Sequence, residues 1–145
     1  MNYDSLLLTD HAKRILIDAE SRSRQMQCAG TNGAHVLLAI PRTPRTFAKL
    51  ILDELDVNLV HARREVENAL RADETGAAST DTIALIVENA RLHVKNRRFP
   101  FVGSEHILLS IFELGEPCVC SAFERLGVPL QRAIACAERL IDEYG

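Results

Sequence analysis

The sequence predicts an all-α protein, two tandem pseudo-symmetric four-helix repeats with about eight helices forming one globule. Three observations carry this. Shifted by 71 residues, the chain falls back on itself without a gap and thirteen positions are identical. Among them Thr9-Asp10 meets Thr80-Asp81, Ile15 meets Ile86, Ala19 meets Ala90, and Leu37-Leu38 meets Leu108-Leu109. Self-similarity at one fixed register marks a duplicated structural unit. Apolar residues recur at helical spacing throughout, and no stretch alternates convincingly as a half-buried strand would.

Each element follows in order. Thr9 reads as an N-cap for a helix from His11 to about Gln25, with Ala12, Ile15, Leu16 and Ala19 on one face. A polar stretch with glycine, Gln27 to Gly33, ends it. His35 to Ile40 is a short apolar helix that stops before Pro41-Arg42-Thr43-Pro44. Phe47 to Leu55 is a third, with Phe47, Leu50, Ile51 and Leu55 spaced for burial. Asn58 caps a fourth, Leu59 to about Arg71, whose buried stripe is Leu59, Ala62, Val66 and Leu70. Residues 72–79 read as a linker between a first repeat (about 6–71) and a second (about 80–143). In the second copy Thr80 caps a helix to about Arg97, and Ser104 caps one from Glu105 to Leu114. Pro117 opens the third, and Pro129 stands where the fourth begins. A four-helix unit of about 65 residues gains by burying a face against its twin, so one shared core is expected.

Composition narrows the function classes. At 145 residues, with 47% hydrophobic and 26% charged residues, the chain reads as a single ordinary globular domain, 1–145. A net charge of −3 gives no support to nucleic-acid binding. The start lacks the basic region of a signal peptide, and no apolar run approaches the ~18 residues of a membrane helix. A cytoplasmic protein with no membrane partner is therefore expected. Cys28, Cys118, Cys120 and Cys136 lack metal-finger spacing, and on a helix Cys118 and Cys120 point about 200° apart. They read as buried small hydrophobes, so neither metal nor cofactor is expected. His35 and His106 open equivalent apolar helices and read as structural histidines hydrogen-bonded near a helix start. His11, His61 and His93 read as solvated. Arg97-Arg98 lead into Phe99-Pro100-Phe101, whose aromatics are expected to tuck between helices, the alternative being an exposed anchor for a partner.

The second-repeat string Phe101-Val102-Gly103-Ser104-Glu105-His106-Ile107-Leu108-Leu109 resembles the Gly-Thr-Glu-His-Ile-Leu-Leu signature of the Clp N-terminal (Clp repeat) domain family. The likeness continues through Glu113-Leu114-Gly115-Glu116 and Phe123-Glu124-Arg125-Leu126-Gly127-Val128-Pro129-Leu130, and Thr9-Asp10-His11-Ala12 is similar to the family's opening. It spans about residues 6–143 and is nearest the ClpC and ClpA branch. The resemblance implies a non-catalytic domain that receives substrates and adaptor proteins ahead of ring-shaped AAA+ ATPase modules. The chain itself has no G-x-x-x-x-G-K-[ST] phosphate loop and no legible catalytic constellation. Its first repeat departs from the pattern, with Asn32-Gly33-Ala34-His35 and Arg42-Thr43-Pro44-Arg45-Thr46 at the signature and turn. These departures suggest a free-standing or divergent member rather than an excised domain of an unfoldase.

In ClpC-type members each repeat offers a pocket for phosphorylated arginine, the Glu before His meeting the guanidinium and the opening Thr lying beside the phosphate. Carried over, the resemblance implies Thr80 and Glu105 as one pocket in the second repeat. The first-repeat equivalent, Thr9 and Ala34, lacks the carboxylate, and alanine accepts no hydrogen bond. The bland alternative is that Thr80 and Glu105 merely support helix starts, as a cap and a first-turn acid. The expected function is recognition of protein substrates, adaptors or a Clp-type ATPase in protein quality control. The rival is a small-ligand sensor or enzyme built on the same scaffold, with a new cavity at Gly33-Ala34.

Overall fold

Eight α-helices and two single turns of 3-10 helix make up the computed structural model, which describes residues 3–72 and 80–144. The first repeat holds α1 (Asp10–Gln25), α2 (Gly33–Ala39), α3 (Phe47–Glu54) and α4 (Leu59–Ala72); the second holds α5 (Ile83–Arg97), α6 (Ser104–Leu114), α7 (Pro117–Leu126) and α8 (Leu130–Tyr144). Most of the expected linker, residues 73–79, lies outside the described residues. The 71-residue register survives folding. The buried residues of α1 (Ala12, Ile15, Leu16, Ala19, Ser23) map one for one onto those of α5 (Ile83, Ile86, Val87, Ala90, Val94). Local chemistry sets most ends. Thr9 Oγ1 accepts from the Ala12 N–H, and Asn58 Oδ1 accepts from the His61 N–H. At the other ends of α6 and α7, Gly115 and Gly127 take the left-handed conformation that glycine tolerates best.

The two repeats are interleaved rather than stacked. From the first repeat, α3 packs on α6 and α8, α4 on α7, and α1 on α6. Apolar side chains from both repeats form one continuous core. Backbone bonds sew the halves together reciprocally: the Thr9 N–H donates to the Val102 carbonyl and the Thr82 N–H to the Thr31 carbonyl, both at 2.9 Å. A parallel bridge between Leu8 and Val102 accompanies the first of these.

Several expectations are corrected. Thr80 does not cap α5: the helix starts at Ile83 with Thr82 at its N-cap, two residues later than the register implies. The Thr82 hydroxyl donates to Glu116 Oε2 at 3.0 Å and its N–H goes to Thr31, so the first turn is held off the helical path. Asp81 supplies the capping carboxylate instead, accepting from the Ile83 N–H. Ser104 is the first residue of α6 and not its cap. Its Oγ accepts from the Ala48 N–H at 3.0 Å, capping α3 of the other repeat. Leu50 is 46% exposed, because the buried stripe of α3 runs Ala48, Ile51, Leu52 and Leu55. Cys118 is buried, but Cys28, Cys120 and Cys136 are half-buried. The aromatic pair divides: Phe99 packs on the core against His106, and Phe101 is exposed.

Ser104→Ala tests the interleaving. It strands a buried donor across the repeat boundary, which costs about 1–3 kcal/mol. Urea unfolding should show a lower midpoint, and an unchanged midpoint would count against this cross-repeat cap.

Candidate binding site

Interleaving creates two pseudo-equivalent junctions, each made from both repeats. At one, the start of α1 meets the segment leading into α6; at the other, the start of α5 meets the segment leading into α2. Thr80 and Glu105, which the resemblance implies as one pocket, are at different junctions. Thr80 lies exposed beside α5, lining a shallow cleft of about 200 Å³ with Asn32, Thr82, Glu116, Pro117 and Cys118. Glu105 belongs to the α1–α6 junction, and no hydrogen bond or ion pair joins the two among the described residues. The register aligns positions within a repeat, whereas exchange of neighbours pairs positions across repeats.

Glu105 sits at the second position of α6, its side chain 15% exposed. The carboxylate folds back over Gly103, and a methyl group on Gly103 would take its space. Burial pushes its pKa up, while its own backbone N–H and the nearby His11 oppose that shift. Such a carboxylate gains more than an exposed one from a planar guanidinium, which offers paired N–H donors. Thr9, at the same junction, has already committed its hydroxyl oxygen to the Ala12 N–H.

At the other junction the position matching Glu105 is filled from across the repeat boundary. Ala34 is fully buried, and Glu116 occupies the space in front of Gly33, where an added Cβ would lie 2.8 Å from Oε1. Both Glu116 oxygens are engaged, Oε1 by the Gly33 N–H and Oε2 by Thr82, each at 3.0 Å. The new cavity that the rival reading would need at Gly33-Ala34 is therefore filled by a carboxylate from the second repeat. Glu116 escaped the sequence reading as an individual residue. Its one signal was an acid directly before Pro117 at a helix start.

His35 and His106 hold the two junctions rigid. Each Nδ1 accepts from a backbone N–H three residues earlier, Asn32 and Gly103 respectively, both at 3.0 Å. Each ring is therefore neutral with its proton on Nε2, and neither Nε2 has a partner among the described residues. Burial lowers both pKa values to about 4, helped at His106 by Arg97 and His93 and opposed at His35 by Asp81. His93 is not solvated as expected: it hydrogen-bonds Glu113 on α6, and its Nδ1 lies 3.0 Å from Arg97 Nη1.

Among known families, residues 7–125 match the model of the Clp repeat (R) N-terminal domain. The ATP-binding subunit ClpC of the ATP-dependent Clp protease from Staphylococcus saprophyticus is 24% identical over 131 residues, 88% of this chain and 16% of that protein. ClpC of Staphylococcus aureus strain USA300 is similar to the same extent. The chain thus spans about a sixth of the length of these relatives. Two solved structures share the fold. The N-terminal domain of Hsp104 from Candida albicans superposes with a TM-score of 0.73 at 18% identity, covering 92% of this chain and 91% of that one. The N-terminal domain of the chaperone ClpD from Arabidopsis thaliana gives 0.74 at 16% identity, covering 98% and 97%.

Proposed function

The chain belongs to the Clp repeat N-terminal domain family, and on that premise we propose that it docks substrates, adaptors or a Clp-type ATPase through the α1–α6 junction without chemistry of its own. As a Clp system module, the domain is a protein-binding unit. The observation that supports the finer reading is Glu105: a part-buried carboxylate at the seam of the two repeats, touched by its own backbone N–H but hydrogen-bonded by no other helix among the described residues, unlike Glu116, whose oxygens are held by Gly33 and Thr82. Its partner would be a guanidinium, and phosphoarginine suits the junction best, since free N–H groups at a helix start attract phosphate. Thr80 is not part of that pocket in this proposal; the start of α1 takes its place. Pull-down from cell lysate should enrich a Clp ATPase, an adaptor or unfolded polypeptides, and less of each on Glu105→Ala beads. Recovery of none of them would overturn the reading.

A further inference from the structure

The outward face of α5 breaks the internal symmetry. Its five buried positions match those of α1, but Leu85 and Leu92, 56% and 50% exposed, stand where α1 has Arg14 and Ser21. Phe99 likewise stands where the first repeat has Cys28. Folding the duplicated core does not need the two exposed leucines. Leu7 joins it for a backbone reason: the bridge to Val102 buries Leu8, and in extended chain the neighbouring side chain then points outward, leaving Leu7 66% exposed. Leu7, Leu92, Phe99 and Pro100 flank a groove of about 340 Å³ with Val102 buried in its floor.

We propose that this groove docks an amphipathic helix of a partner protein that carries acidic residues beside its apolar stripe. Leu85 and Leu92 lie two helical turns apart, about 10 Å, which matches anchors at i and i+7 on a partner helix. The rim supplies the sign of the charge. Of the charged residues lining it, Glu88 is held by Arg91 at 3.4 Å, whereas the exposed Lys95 has no acidic partner among the described residues. This basic rim sits on a chain of net charge −3, so it is a local feature. A second copy fits poorly, because two-fold pairing of this face would set one basic rim against the other. A lipid surface would touch the crests and leave the concave floor empty. The proposal deepens the protein-binding reading and rests on it in that the occupant is a polypeptide, but its contacts are separate from Glu105.

The test is fluorescence anisotropy with a labelled synthetic helix, leucine at i, i+3 and i+7 flanked by glutamates, beside the same peptide flanked by lysines. The glutamate peptide should bind, and Leu92→Ser, which installs the residue found at the matching position of α1, should weaken it at least about tenfold. Lys95→Glu should weaken it too and improve binding of the lysine peptide. Glu105→Ala should leave it unchanged, which separates failure of this site from failure of the α1–α6 junction. The proposal is overturned by an unbound glutamate peptide, by equal binding of the lysine peptide, or by indifference to Leu92→Ser. It is equally overturned by Leu92-dependent capture of phosphatidylglycerol vesicles or by Leu92-dependent dimerisation.

Discussion

Acidification from above pH 6.5 to about 4 should remove roughly 6 kcal/mol of stability through His35 and His106 alone. Both rings are buried, and both are locked as hydrogen-bond acceptors at Nδ1. Protonation would set a donor against a donor and leave a charge without water. Because burial puts the folded pKa near 4, below the unfolded value of 6.5, the unfolded chain binds more protons between these limits. The stabilisation is therefore complete above pH 6.5 and fades as pH falls towards 4, by about 3 kcal/mol for each ring. Other groups titrate in the same window, so the clean comparison is with the double variant His35→Gln/His106→Gln. Glutamine at the third helical position also accepts from the cap N–H but carries no proton in this range. Urea unfolding across the pH series should give the double variant the flatter profile. Parallel profiles would mean that the two rings do not govern acid sensitivity.

Separating the repeats should have an even larger effect. Residues 1–72 and 80–145, expressed as two chains, are each expected to be unfolded alone. Without the second half, α3 loses α6 and α8, and α4 loses α7. The stranded polar groups include the Ala48 and Gly33 N–H groups, whose acceptors are Ser104 and Glu116. A fragment of this size is only marginally stable even with its whole core, and each half here has lost the partner face of that core. Mixed together, the halves should regain helical circular dichroism and co-elute. A cooperatively melting single half would contradict the interleaved core.

How much was legible depended on range. The α1 core stripe of Ala12, Ile15, Leu16 and Ala19 is fixed by spacing within one helix and was readable, and the repeat register carries it onto α5. The caps at Thr9 and Asn58 act over three residues and were equally readable. What failed was decided by distant residues. Thr80 reads as a cap until Glu116, in the turn before α7, draws Thr82 out of the helix. Ser104 does cap a helix, but one of the other repeat. His93 reads as solvated until α6 brings Glu113 against it. Glu105 is singled out together with Thr80 of its own repeat, whereas the structure sets it against the start of α1. A linear register contains no information on which repeat's helix start a residue faces.

The most direct test of a composite junction centred on Glu105 is calorimetric titration with a phosphoarginine peptide across three variants. Binding should appear for the natural sequence and fall at least about tenfold in Glu105→Ala. Gly103→Ala should lose as much, since its methyl group displaces the carboxylate while leaving it in the chain. Thr80→Ala, at the other junction, should bind as the natural sequence does. No binding at all, or binding lost in Thr80→Ala and kept in Glu105→Ala, would contradict the account.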